Sequence, residues 1–316
     1  MHIGIADNNG GKFTKDLKEH WEHSGHGVKY ERGASEYIAQ WADLYYVDTW
    51  DNNIHYLYKL YHGDSGVSRT DPWDNNKKPK IAVRLLDWEV WIGLARDQSM
   101  IDWVDYAICI APHIEKKLRE DNEWGDKLKV IKPGVNLDKF VSKHEPTDGF
   151  QIGMVLADMW WYKNHMGGLD IFTTLAKQDK RWRLHIRGDH EAGEFNKVMY
   201  DHYLESRGIT DRVTLYSQVD DMDRWYENID ILLHPGMKEA FCYAVAEAMA
   251  KGLKVVCNNF YGAEAIWPKW ILYDTHQEAV EKILAEPLKF DNRKFIEEKY
   301  NCTRQFKETD EFLAVS

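Results

Sequence analysis

The chain has 316 residues, 44% of them hydrophobic, and a formal charge of −11. Single cores stop growing near roughly 250–300 residues, so two domains are expected. The acidic balance, with no basic block, argues against a nucleic-acid partner. No apolar run reaches the roughly 18 residues of a membrane span, and the N-terminal MHIGIAD lacks the charged and apolar regions of a signal peptide.

Residues 3–6 form a short apolar run, followed by Asp7-Asn8-Asn9-Gly10-Gly11-Lys12. Phe13, Leu17 and Trp21 mark a helix face that ends at 24–27, and 28–30 reads as a second strand. Gly10-Gly11 would let a ligand approach the backbone, although a plain turn also accounts for the pair. A strand at 44–47 precedes an aromatic helix carrying His55, Tyr56, Tyr58 and Tyr61, and 63–80 reads as a polar loop. The next strand, 81–86, ends in Asp87-Trp88-Glu89, at the carboxyl end where open α/β sheets place ligands. A strand at 106–111, a helix at 113–120 and a strand at 129–131 follow. The polar stretch 143–149 is the expected boundary between domains 1–145 and 146–316, with the last helix free to pack back on the first domain.

A second alternation then begins: strand 152–156, helix 165–177, strand 184–187 ending in Arg187-Gly188-Asp189, helix 191–206, strand 213–216, helix 222–228 and strand 231–233. Strands at 254–257 and 271–273 and helices at 277–285, 291–300 and 303–313 complete the chain. The expected fold class is therefore α/β, with two Rossmann-like, doubly wound domains and a cleft between them. Asp221-Met222-Asp223 reads as a helix start rather than a metal motif. The four cysteines, Cys109, Cys242, Cys257 and Cys302, have no metal-finger spacing, and reduced thiols in a cytoplasmic protein are expected. His113, His165 and His185 read as surface or packing residues, and no metal site is expected.

The chain is organised around 232–252, LLHPGMKEAFCYAVAEAMAKG. Phe241, Ala244, Val245, Ala248 and Met249 recur at helical spacing and form one buried face, and Gly252 suits a left-handed cap. A helix amino end facing a strand's carboxyl end is an anion site. Glu239 at its mouth also reads as an ordinary first-turn acid. Glu247, between Ala246 and Ala248, is expected to be partly buried and to need hydrogen-bond donors, of which ligand hydroxyls are one source.

Taken together and in order, these segments resemble glycosyltransferase family 4, retaining nucleotide-sugar transferases with the GT-B fold. EAFCYAVAE at 239–247 looks like the family's E-x7-E element, and AMAKGLKVV at 248–256 like its continuation. VIKPGVNLDKF at 130–140 resembles its interdomain segment, DYAICIAP at 105–112 one of its strands, and GHGV at 25–28 an N-terminal motif. Lys163-Asn164 fall where the family has its lysine. The resemblance implies that Glu247 bonds the donor ribose, Glu239 contacts the donor sugar, and the backbone N–H groups of Phe241 and Cys242 lie near sugar and phosphate. It further implies that Lys163 neutralises the diphosphate and that Gly10 and Gly11 admit the donor phosphate.

The family's usual arginine before that lysine is absent, and Arg187 is the candidate substitute; a surface arginine is its other reading. Its usual histidine after 81–86 is replaced by Asp87-Trp88-Glu89, which makes Asp87 the candidate for orienting the acceptor hydroxyl; a helix N-cap is its other reading. Ala240 and Cys242 replace family glycines. Trp50, Tyr56, Trp88, Trp91, Trp160 and Trp161 read either as an acceptor cleft or as core. The implied activity is retaining, metal-independent transfer from a UDP- or GDP-type sugar to a saccharide or glycoconjugate. No cofactor and at most weak membrane association go with it. A nucleotide-sugar epimerase, a phosphorolytic enzyme, a nucleobase glycosyltransferase and a non-catalytic nucleotide-sugar binder stay open.

Overall fold

The computed structural model describes residues 1–8, 11, 14–62, 78–141, 147–156, 161–188, 194–216, 221–286 and 291–315. Gly10, Phe13, Trp160, Asp189, most of the 63–80 loop and part of the 143–149 stretch lie outside the described residues. The chain divides into two units, Met1–Gly134 with Thr303–Ser316, and Val135–Cys302. The division falls ahead of the 143–149 stretch, and the last helix belongs with the first unit from Thr303 onward.

The first unit is built on β1 (His2–Asp7), β2 (Gly27–Glu31), β3 (Leu44–Asp48), β4 (Lys80–Leu85), β5 (Tyr106–Cys109) and β6 (Leu128–Val130). They form one parallel sheet in the order β2-β1-β3-β4-β5-β6. β1, β3 and β4 are buried along almost their whole length, as a parallel sheet covered on both faces requires. Two six-residue helices, Glu36–Trp41 and Gln98–Trp103, have no counterpart in the sequence reading; side chains of Ser35 and Asp97 cap them. The closing helix, Cys302–Leu313, is tied down by Asp310. Trp21 Nε1 donates to Asp310 Oδ1 at 2.8 Å, and His20 Nε2 lies 2.7 Å from Oδ2. Leu313 and Val315 complete the core of Ile3, Ile5, Trp21 and Tyr46.

The second unit carries β7 (Gln151–Val155), β8 (Arg183–Arg187), β9 (Val213–Tyr216), β10 (Ile231–His234), β11 (Lys254–Asn258) and β12 (Leu272–Tyr273). They too form a parallel sheet, in the order β12-β11-β10-β7-β8-β9. The chain runs outward from β7 to β9, then returns to β10 and runs the other way. The strand order therefore reverses between β7 and β10, and such a reversal opens a ligand crevice at the carboxyl ends. In the first unit the same reversal lies between β1 and β3. Among the described residues, no helix is long and apolar enough to cross a membrane.

Candidate functional site

At the β7/β10 reversal, β10 ends in His234-Pro235-Gly236, and the loop after it leads into the helix Tyr243–Ala250. This helix starts after Cys242, so Glu239 lies in the loop and the first turn carries no acid. The first-turn reading of Glu239 is therefore corrected: capping propensity does not explain it. Cys242 is the N-cap, at φ 70°, in the left-handed region that glycine occupies most easily. At the other end Gly252 has φ 76°; its N–H donates to Met249 O at 2.9 Å and Leu253 N–H donates to Ala248 O at 3.0 Å. That is the Schellman closure which Gly252 suggested.

The β7 side supplies the cation. After β7 the chain makes the turn Trp161–Lys163, and Asn164, in the left-handed region, caps the helix His165–Gln178. Asn164 Nδ2 donates to Pro235 O at 3.1 Å and Met237 N–H to Tyr162 O at 2.7 Å, which fastens the β7 loop to the β10 loop. Lys163 Nζ then donates to Glu239 Oε1 at 2.6 Å, with the two side chains only 17% and 14% exposed. Each neutralises the other where solvent screening is weak.

The same carboxylate oxygen lies 3.5 Å from His234 Nε2. His234 is buried at the end of β10, and its Nδ1 faces Cys242 Sγ at 3.6 Å. Burial, followed by the Lys163 charge, pushes its pKa down to about 3, so the ring is neutral. Burial and the Glu239 charge raise the Cys242 thiol well above its ordinary value, so it keeps its proton. Gly236 leaves the ring its space: a Cβ there would lie 2.7 Å from His234 Nε2 and 3.4 Å from Glu239 Oε1, so the ring would have to shift. His234, Glu239 and Cys242 offer ligand atoms all within 4.8 Å of one another. The Lys163 ammonium already stands against Glu239, so the trio suits a metal ion poorly.

Glu247 lies in the helix, partly buried, and Tyr226 Oη donates to its Oε2 at 2.9 Å. Arg187, at the end of β8, is close enough that its charge opposes the effects of burial and Glu247 on the Tyr226 phenol. Glu247, Tyr226 and Arg187 thus form one group, and Lys163, Glu239, His234 and Cys242 another, both in the second unit. Phe241 is buried, its ring centroid 5.1 Å from those of Trp267 and Tyr300. Its side chain anchors the loop. Asp221 accepts from Arg224 N–H at 3.2 Å as a helix cap, while Asp223 bonds the buried Lys251 at 2.8 Å. The DMD segment is therefore structural.

Two expected residues belong to the first unit. Gly11 has φ 83°, and its N–H donates to Asp7 Oδ2 at 3.2 Å, an oxygen that also accepts from Thr14 Oγ1 at 2.5 Å. The Gly11 amide is turned toward Asp7 of its own chain. Asp87 precedes the short helix Trp88–Trp91, but its side chain makes no cap bond. Glu89 does that work, accepting from the N–H groups of Leu86 at 2.5 Å and Asp87 at 3.2 Å. Among the tryptophans, Trp50 is core, stacked edge-on against Trp124, whereas Trp88 and Trp161 are exposed. The reading of the residues passed over His234 and Tyr226. A histidine closing the apolar run LLHP was the available signal for the first; the second had none.

Two parallel Rossmann-like units, with charged side chains at the reversal of the second, are the architecture of a GT-B glycosyltransferase. The chain belongs to the glycosyl transferases group 1 family, whose profile matches residues 138–297. The structure is similar to a glycosyltransferase from Rickettsia africae ESF-5, with TM-score 0.74 and 13% identity over 100% of this chain and 99% of that one. It is also similar to sucrose-phosphate synthase from Thermosynechococcus elongatus, with TM-score 0.74 and 15% identity over 99% and 98%. Anabaena HepE in complex with UDP-glucose matches with TM-score 0.70 and 15% identity over 100% of both chains. At these identities the likeness is one of fold. Protein CapJ of Staphylococcus aureus is 22% identical over 138 residues, which are 44% of this chain and 35% of CapJ.

Proposed function

We propose that this glycosyltransferase works in the manner of family 4, moving a sugar from a nucleotide-sugar donor to a saccharide or glycoconjugate with retention and without a metal ion. The observation that carries the reading is the Lys163–Glu239 pair at the β7/β10 reversal, with Glu247 on the helix that follows. In the transfer, the bond between the anomeric carbon and the diphosphate oxygen breaks, and the diphosphate takes the electron pair. The anomeric carbon bonds the acceptor oxygen on the same face, and the acceptor's proton passes to the departing diphosphate. Negative charge therefore grows on the diphosphate, and a lysine beside a helix amino end is where it is best held. Arg187 adds a second positive charge. Glu247 accepts from ribose hydroxyls, Glu239 from sugar hydroxyls, and the backbone N–H groups of Phe241 and Cys242 face the phosphate. Asp87 orients the acceptor hydroxyl. HepE, solved with UDP-glucose on the same fold, supports a UDP-sugar as the first donor to try.

The test is turnover of UDP-, GDP- and ADP-linked sugars by the wild type and by Glu247→Ala, with and without EDTA, and NMR of the product's anomeric configuration. The expected result is EDTA-resistant transfer with retention by the wild type and a large loss in the variant. Equal turnover by both proteins would sink the assignment; an epimerised donor in the absence of acceptor would replace it.

A further inference from the structure

The end of β10 should be apolar, as the rest of the strand is, yet it carries His234. Its Nε2 is buried and has no hydrogen-bond partner among the described residues. Buried ring nitrogens are almost always paired, so one aimed at a carboxylate 3.5 Å away calls for a use.

The surroundings select its tautomer. On one side stands the protonated Cys242 thiol, 3.6 Å from Nδ1 and able to donate to it. On the other stands Glu239, which is acceptor-only when ionised. An Nε2 lone pair facing that carboxylate would be repelled, whereas an Nε2–H would be attracted. Glu239 therefore favours the Nε2–H form, and the thiol accommodates it by donating to Nδ1. Phe260 covers the ring from a third side, at 6.4 Å between centroids. Cys242, in a left-handed backbone, brings Sγ to Nδ1, and Gly236 leaves Nε2 its space. Glu239 Oε1 thus accepts from Lys163 at 2.6 Å, with His234 Nε2 standing by at 3.5 Å.

We propose that His234 is a positioning residue of the donor loop: anchored at Nδ1 by Cys242, it takes over the Glu239 carboxylate through Nε2–H when Lys163 turns to the departing diphosphate. This rests on the assignment of Lys163 and Glu239 above. Without the relay, Glu239 would be left as a buried, unpaired charge at the moment the lysine is needed elsewhere. A neutral donor suits the handover better than a second cation, because it holds the carboxylate without competing for the diphosphate.

The experiment compares His234→Asn and His234→Gln with the wild type, using the donor that gives the highest turnover. The Gln amide N–H reaches the Nε2 position and the Asn amide does not. A hydrogen bond to a charged group predicts that His234→Asn loses about 10- to 100-fold in kcat while donor KM stays within about threefold. His234→Gln should recover to within about threefold. In a Glu239→Gln background, His234→Asn should have little further effect. Unchanged kcat in His234→Asn, full additivity with Glu239→Gln, or no rescue by Gln would overturn the proposal. NMR of 15N-histidine-labelled wild type gives a readout independent of turnover. The Nε2–H tautomer, still neutral at pH 5, supports the relay, and an Nδ1–H tautomer overturns it. A wild type inert with every donor but showing the Nε2–H signature would sink the transferase reading and leave the ring's geometry standing.

Discussion

Replacing Lys163 with methionine separates what the lysine does for the fold from what it does for transfer. In the fold it is the partner of Glu239 at 2.6 Å, with both side chains more than four-fifths covered. Breaking a fully buried pair from one side costs about 3–5 kcal/mol, and the residual exposure here lowers that to about 2–3 kcal/mol. In transfer, losing one preorganised group that stabilises the developing charge costs about 100- to 1,000-fold in kcat. The double variant Lys163→Met/Glu239→Gln carries no unpaired charge, so its stability should return to within about 1 kcal/mol of the wild type while its kcat stays low. Urea denaturation at constant slope reads the first quantity, and initial rates at saturating donor read the second. If Lys163→Met denatures at the wild-type midpoint, the pairing argument is wrong. If the double variant regains activity along with stability, the lysine is only a structural partner.

Three further outcomes are expected. Gly188→Ala should prevent folding of the second unit, because a Cβ there would lie 1.7 Å from the backbone oxygen of Leu156; soluble yield and far-UV circular dichroism check this. Asp310→Ala should cost about 1–3 kcal/mol, since the buried Trp21 Nε1 loses its acceptor; a thermal midpoint equal to the wild type would contradict it. The folded His234 ring takes up its second proton only near pH 3, whereas in the unfolded chain it does so near the ordinary histidine value of 6.5. Its contribution is therefore complete above pH 6.5 and is lost as the pH falls toward 3. Between pH 7 and pH 4.5 this amounts to about 2–3 kcal/mol. His234→Gln should show a correspondingly flatter acid dependence in urea titrations, and parallel curves for the two proteins would refute the burial argument.

Much of the fold could be read from the residues because parallel strands covered on both sides are nearly continuous apolar runs. The runs at β4, β7 and β10 are of this kind. The helices Glu36–Trp41 and Gln98–Trp103 span fewer than two turns, too few for a periodicity to emerge. The return of the last helix to the first unit rests on contacts between His20 or Trp21 and Asp310, nearly the whole chain apart, and no local pattern encodes them. The family resemblance assigned Lys163 and Glu239 separately, but their mutual bond depends on which strands are neighbours. Cys242 was legible as a glycine replaced; that it holds a left-handed backbone was not. Gly11 was legible as a turn, while the inward aim of its amide depends on Asp7, a polar residue at the end of an apolar strand.

The division of the first unit into Met1–Gly134 and Thr303–Ser316 has a consequence for how the protein is made. On the ribosome, the first six strands emerge early, yet Trp21 waits for Asp310 and the core waits for Leu313 and Val315. All of Val135–Cys302 must be synthesised in between, which takes roughly ten to thirty seconds at about 5–20 residues per second. Throughout that interval a nascent sheet stands with one side of its core uncovered. The second unit, continuous in sequence, is fully synthesised while the first still lacks its closing helix.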